Sequence, residues 1–403
     1  MNVSLWYRAR YWVLLLLVVL ITISSHPTIV DMSKAVGMKS GTILSRYIIL
    51  VFAGLFLMCL NVKSMLKPKL VRVSWFFWVW IVVYYLITFA AFGKKGMIGD
   101  VRSIAISLAA IMIGWQLDLD EKKLRALLLV FSGFILFVGL MQVLTNVGGF
   151  VILNQYEADN KNSLGMMLVS GDIMLLFLGL NHVGKMFPKV LFFTGAVLVL
   201  VIMLTLRVRA ATLTAGIMGV YIFYERFKGK NFVLYLLGGI AALVILFLIL
   251  PGSAKDFVYN SFFQNYEGGD ITAGRAERNA AAIDFLSYHI FLGNLNHNED
   301  VGWIHNYPLN RTFEFGIIFV LPIMVLYLYL LINTIIKTVK SDNRNIYNAG
   351  YYILLIPFII SMVEPTFPFG PGTATVINFL LFGVALRNTS NEKDYVVELD
   401  QSS

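Results

Sequence analysis

Residues 190–224 read VLFFTGAVLVLVIMLTLRVRAATLTAGIMGVYIFY, and only Arg207 and Arg209 interrupt the apolar run. The stretch is too long for a single membrane crossing, because a bilayer core takes roughly 20 apolar residues as a helix. Two guanidinium groups also fit poorly at mid-bilayer. The stretch therefore predicts two helices, 190–206 and 210–224, joined by a tight turn that holds both arginines at one membrane surface. That reading decides the class of the chain, an all-α polytopic integral membrane protein.

Working outward, similar apolar runs lie near 11–25, 42–62, 73–92, 104–117 and 127–147. Others lie near 163–180, 232–250, 312–336, 347–362 and 373–386, which makes about twelve spans in all. Composition agrees, since 58% of the 403 residues are hydrophobic and only 14% are charged. A soluble domain carries about 25% charged residues. The net charge of +9 is read as topological marking, not as a nucleic-acid signal, because basic residues collect in cytoplasmic loops. The single cysteine, Cys59, excludes an internal disulfide.

Arg8 and Arg10 ahead of 11–23 imitate a signal peptide, but no small-x-small cleavage site follows, so the segment reads as an uncleaved first helix. With the N-terminus inside, most of the Lys and Arg residues fall in cytoplasmic loops and both termini are cytoplasmic. The expected organisation is spans one to nine in 1–250, an extracytoplasmic loop in 251–311, spans ten to twelve in 312–387, and a cytoplasmic tail in 388–403. The tail is polar, acidic towards its end, and expected to be disordered. On this topology Arg207, Arg209, the 251–311 loop and Glu364 share the outer side, and the cytoplasmic loops carry no recognisable chemistry.

Chemistry concentrates in 267–316, where arginine, histidine, asparagine and carboxylates gather. Residues 274–290 read as an amphipathic helix stopped by Gly293. Ile283, Leu286 and Ile290 form one apolar stripe, and Arg275, Arg278, Ala282, Phe285 and His289 form another line at helical spacing. Such a helix either lies in the membrane interface or turns Arg275 or Arg278 towards an anionic headgroup. Arg207 and Arg209 carry the same two readings: snorkelling to lipid phosphates, or a bidentate phosphate clamp. His305, beside Asn306 and close to the next membrane helix, can accept a proton from a sugar hydroxyl near neutral pH. The loop carboxylates are irregularly spaced and form no metal motif, so no metal and no cofactor is expected. Asp172 lies mid-helix in 163–180, as a functional acid or a buried contact between helices.

Three segments carry a resemblance. Val208-Arg209-Ala210-Ala211 resembles an arginine-plus-small-residue motif opening a middle helix. Ala273-Gly274-Arg275, with Phe291-Leu292-Gly293, resembles the two ends of a loop helix. His305-Asn306 followed by Glu314-Phe315-Gly316-Ile317 resembles a His-Asn segment leading into a membrane helix. Together they are similar to the bacterial O-antigen polymerase and O-antigen ligase superfamily of membrane glycosyltransferases, and the hydropathy layout matches over most of the chain. The aromatic residue often found shortly after the loop's Gly-Arg is replaced by Arg278-Asn279, which leaves open which of Arg275 and Arg278 acts.

The resemblance implies a GT-C-like fold in the bacterial inner membrane and an inverting, metal-independent transfer from an undecaprenyl-pyrophosphate-linked oligosaccharide. His305, Arg275 and Arg209 would be catalytic, with Arg207, Arg278, Asn306, Arg311 and Glu314 contacting substrate. Partners would be that lipid-linked oligosaccharide, membrane lipid and a chain-length regulator. The product would be O-antigen or capsular polysaccharide. The alternatives are ligation of the glycan to lipid A core, a lipid-linked glycan transporter or flippase, and a non-catalytic partner in glycan assembly. The absence of a visible internal repeat weighs against the transporter.

Overall fold

The computed structural model describes residues 3–25, 42–61, 69–92, 97–146, 161–227, 237, 248–249, 251–263, 274–297, 299–370 and 374–401. Among these the regular structure is helical: α1 Val3–Ser24, α2 Thr42–Met58, α3 Lys69–Phe92, α4 Met97–Gln116, α5 Glu121–Asn146, α6 Lys161–Leu180, α7 Met186–Thr205 and α8 Arg209–Arg226. There follow α9 Gly252–Phe263, α10 Arg275–His289, α11 Tyr307–Lys340, α12 Ala349–Ile360 and α13 Val376–Gln401, with short 3-10 turns at Gly293–Leu295 and Ile346–Asn348.

Five helical segments among the described residues are long and apolar enough to cross a membrane: Arg72–Ala91, Glu121–Leu144, Asn162–Leu180, Met186–Thr205 and Tyr307–Lys340. Leu44–Met58, Ile346–Ile360 and Val376–Thr389 are apolar but shorter. The run expected at 232–250 lies almost wholly outside the described residues, as does the segment 264–273.

Burial sorts the helices into an inner and an outer set. In α6, α12 and the first half of α13 nearly every side chain is buried, as expected of helices that are apolar all round. Around them stand α4, α5, α7, α8 and α11. Outermost, α3 keeps Phe76, Val79, Leu86 and Ile87 exposed. Such a surface suits hydrocarbon rather than water.

Glycines set the closest approach. A Cβ on Gly114 of α4 would meet the Leu380 carbonyl oxygen of α13, and one on Gly383 would meet the Ile111 carbonyl. Two helices therefore touch backbone to backbone, the packing mode that membrane interiors favour because dispersion must replace the hydrophobic effect.

At one end of the bundle, polar side chains close off helix termini. Arg125 Nη2 donates to the Asn181 carbonyl at 2.8 Å, Arg226 Nη2 to Leu180 at 2.9 Å, and Arg387 Nη1 to Gln116 at 3.1 Å. Asn343 Nδ2 reaches the Ile222 carbonyl at 2.9 Å. Cations at helix C-termini satisfy orphan carbonyls and oppose the negative end of the dipole. Because α7 and α8 run antiparallel, their turn at Leu206–Val208 lies at the opposite end, with Val208 against Gly165 near the start of α6.

Two expectations change. Residues 388–401 continue α13 as helix instead of forming a disordered tail. No glycine or proline after Gly383 interrupts the chain, so nothing stops the helix. And α11 begins at Tyr307, ahead of the expected 312. Asn306 caps it, its Oδ1 accepting from Leu309 N at 2.9 Å, with Pro308 in the first turn.

Candidate functional site

Three segments far apart in sequence converge at the end of the bundle opposite the capping arginines. They are α10 with the turn after it, the stretch 299–316, and residues 361–366 that follow α12.

The turn after α10 is locked onto a break in α11. Gly316 has φ 70° and ψ 164° inside α11, so the helix kinks there. Ile317 N donates to the Ile290 carbonyl at 2.8 Å and Ile318 N to Phe291 at 3.3 Å. Gly293, itself at φ 56°, faces this break; a Cβ on it would lie 2.5 Å from Gly316 N. Neither position tolerates a side chain, because both need left-handed backbone and the two strands of chain touch. The segments 291–293 and 314–316, read separately in the sequence, thus form one joint.

Above the joint, Ala282 and Leu286 of α10 are buried with Ile304 and Phe313, and Phe285, Val301 and Leu309 pack around them. Of the stripe Ile283–Leu286–Ile290, only Leu286 is buried. The docking face is instead the second line, through Ala282 and Phe285, and it places Arg278 against Gly302 and Arg275 against Val363 and Glu364. His289 and His297 lie beside Phe285, their rings tilted by 49° with centroids 4.2 Å apart.

Glu364 is the centre of the site. Its side chain is 5% exposed, yet it follows one of the most apolar helices in the chain. Arg275 Nη2 donates to Glu364 Oε1 at 3.1 Å and Nη1 donates to the Val363 carbonyl at 3.1 Å. His305 Nδ1 faces the other carboxylate oxygen, Oε2, at 3.8 Å. That is beyond hydrogen-bond length but within ion-pair range. Nδ1 is buried and has no hydrogen-bond partner among the described residues. Asn306 Nδ2 donates to the Met362 carbonyl at 3.1 Å, and Tyr307 N to Ser361 at 2.9 Å, tying the histidine segment to the same strand of chain.

A second charged group lies alongside. Arg311 Nη2 pairs with Asp100 Oδ1 of α4 at 3.1 Å, and Nη1 pairs with Glu314. Asn310 Nδ2 donates to the other Glu314 oxygen at 3.2 Å. Burial pushes the Asp100 carboxyl up to about 6; the Arg311 guanidinium opposes the rise and the Glu314 carboxylate adds to it.

Arg278, half-buried, lies between Gly274 and Gly302 and makes no ion pair among the described residues. This separates it from Arg275, whose charge Glu364 already compensates. Arg207 and Arg209 sit at the α7–α8 turn, Arg207 with φ 53° and Arg209 as the first residue of α8. They share the end of the bundle with the loop but bond to neither Glu364 nor His305. Asp172 is buried at the middle of α6; the nearby Ser170 receives a 2.9 Å bond from Asn378 Nδ2. Among the described residues, no three of His, Cys, Asp and Glu gather as a metal site.

Sequence reasoning named Glu364 only for its side and passed over Asp100. Glu364 did carry a signal, a lone carboxylate followed by Pro365 directly after a long apolar run. Asp100 carried none, since its partner Arg311 comes from a distant helix.

Scanned against models of known protein families, the chain matches none, and no curated protein matches it.

Proposed function

We propose that this chain is a multi-pass membrane glycosyltransferase that polymerises undecaprenyl-pyrophosphate-linked oligosaccharide repeats at the outer face of the bacterial cytoplasmic membrane. On this reading it has about twelve spans and cytoplasmic termini, and it transfers with inversion and without a metal. The observation that carries the proposal is the buried carboxylate of Glu364, which brings Arg275 and His305 to one point at one end of an apolar helical bundle.

The chemistry follows from that arrangement. The acceptor hydroxyl loses its proton to His305 as its oxygen attacks the anomeric carbon. The bond from that carbon to the pyrophosphate oxygen breaks, and the electron pair leaves with the phosphate. The imidazolium formed is stabilised by Glu364, which acts as a positioning residue because it touches no substrate. Negative charge on the leaving pyrophosphate needs fixed cations in a site of low dielectric constant. Arg275 spends its charge on Glu364, so Arg278, which makes no ion pair among the described residues, is the better phosphate ligand of the two, with Arg209 in the role that the resemblance implies, and Arg275 fixes the carboxylate that serves His305. That pairing supports Arg278 over Arg275 as the phosphate ligand, the choice that the sequence leaves open.

A His305→Ala strain tests the reading through its surface polysaccharide and its lipid-linked pool. Single repeat units at the surface are expected. Long chains stranded on the lipid carrier would mean ligation to an outer acceptor instead. Normal surface chains would remove His305 from the mechanism and with it the enzyme.

A further inference from the structure

Beside the Glu364 centre lies an open cavity of about 390 Å3, lined by Asp300, Gly302, Trp303, Asn310, Arg311 and Glu314, with Pro365 and Thr366. Its volume is within the range of small-molecule sites, roughly 300–1,000 Å3. Pro365 follows Glu364 directly, so the cavity opens next to the reacting groups rather than elsewhere on the surface.

Its lining is chemically specific. Trp303 is 62% exposed, while its neighbours Ile304 and Tyr307 are buried. An indole face held at the rim of a polar cavity offers a stacking surface for the C–H face of a sugar ring. Asn310 and Glu314 supply amide and carboxylate groups of the kind that bond sugar hydroxyls. Of the lining residues, Arg311 has a buried Nε with no hydrogen-bond partner among the described residues, and behind it the Oδ2 of its partner Asp100 is likewise unpartnered. Asp100 is more than nine-tenths buried. Buried polar atoms are nearly always paired, so such atoms mark a place where another polar group is received.

Charge narrows the ligand. Asp300 and Glu314 line the cavity with the single guanidinium of Arg311, so carboxylates outnumber cations in its lining. Arg278 lies on the far side of the turn, against Gly302. That turn is held by Gly302 N donating to Asp300 Oδ1 at 2.9 Å. The 300–303 turn therefore separates a cationic side, suited to phosphate, from an acidic side that repels it.

We propose that this cavity is a saccharide subsite that takes an uncharged or amino sugar, and excludes uronic or sialic acids, at the acceptor end of the reaction. The sugar-binding claim stands on the cavity; its assignment to the acceptor rests on the glycosyltransferase reading above. Trp303 stacks on the ring, Asn310 and Glu314 hold its hydroxyls, and Arg311 is braced from behind by Asp100. A sugar so held presents a hydroxyl towards His305 across the Pro365 edge.

The test is photocrosslinking in cells that make the full-length protein, with Trp303→benzoylphenylalanine, which keeps an aromatic face at the rim. Arg344→benzoylphenylalanine, at the opposite end of the bundle, is the control. Illumination is expected to give a periodate-staining adduct at position 303 at least fivefold above the control. Its mass increments should be hexose, hexosamine or N-acetylhexosamine, and adding Asn310→Ala with Glu314→Gln should lower its yield at least threefold. No carbohydrate adduct, a yield equal to the control, or uronate and sialate increments would each overturn the subsite. If the adduct fails while His305→Ala still abolishes surface chains, the subsite alone is wrong. If the adduct forms while His305→Ala leaves chains normal, the cavity binds sugar and the enzyme reading falls.

Discussion

Replacing Arg275 by glutamine and Glu364 by glutamine, singly and together, tests whether their pair holds the loop to the bundle. The two partners differ in burial: the Glu364 side chain is 5% exposed and that of Arg275 35%. Removing the partner of a fully buried ion costs about 3–5 kcal/mol, because a charge is left without compensation. Here the carboxylate keeps His305 at 3.8 Å, and water reaches the space left by a third-exposed side chain, so Arg275→Gln is expected to cost about 2 kcal/mol. Glu364→Gln leaves no buried charge, retains an oxygen for the 3.1 Å bond from Arg275, and exposes Arg275 to water; its cost is about 1 kcal/mol. The asymmetry is the signature, with Arg275 the costlier loss and a coupling of about 1 kcal/mol in the double variant. Reversible unfolding of purified protein, titrated with dodecyl sulfate in mixed micelles, measures all four corners of the cycle. If Arg275→Gln costs no more than Glu364→Gln, or the coupling lies below about 0.5 kcal/mol, the pair is a screened surface contact and does not position His305.

Gly293→Ala should weaken the joint between the turn after α10 and α11 by about 2–3 kcal/mol, since it combines strained φ with contact against Gly316. Limited proteolysis of 294–303 in the membrane should then accelerate at least tenfold, and an unchanged rate would show that the joint does not secure the loop. Asp100 carries a pH signature, because its carboxyl sits at about 6 in the fold against about 3.9 in an unfolded chain. A raised carboxyl favours the folded state at low pH, and that contribution is lost as pH rises through about 6. Between pH 4 and pH 7 the stability of the natural protein relative to Asp100→Asn should therefore fall by about 2–3 kcal/mol. The readout is this slope and not the constant offset from an unpaired Arg311; a flat difference would mean that Asp100 ionises as it does in water.

Helices and their breaks are properties of neighbouring residues. Apolar runs of bilayer length, the arginines at 207 and 209, and the glycines at 274 and 293 declare themselves one after another along the chain, and for that reason the all-helical class and the division of 190–224 into two helices were legible from sequence, whereas the break at Gly316 inside the expected span 312–336 was not. The concentration of polar groups in 267–316 was legible on the same ground, because a membrane chain has few places to put charge.

Which groups meet depended on contacts that no local pattern encodes. Helical periodicity marks two candidate faces on α10 but not which one docks; the Gly293–Gly316 joint and the side chains of Ile304 and Phe313 chose the face of Ala282 and Phe285. Arg275 and Glu364 are brought together only when α12 has crossed the bundle, and Arg311 finds Asp100 only when α4 and α11 stand side by side. Sequence alone determined that there would be charge at this end of the bundle. Its pairing, and hence the distinction between Arg275, paired with Glu364, and Arg278, which makes no ion pair among the described residues, was decided by tertiary structure, because a charge pair depends on distance in space and distance along the chain does not predict it.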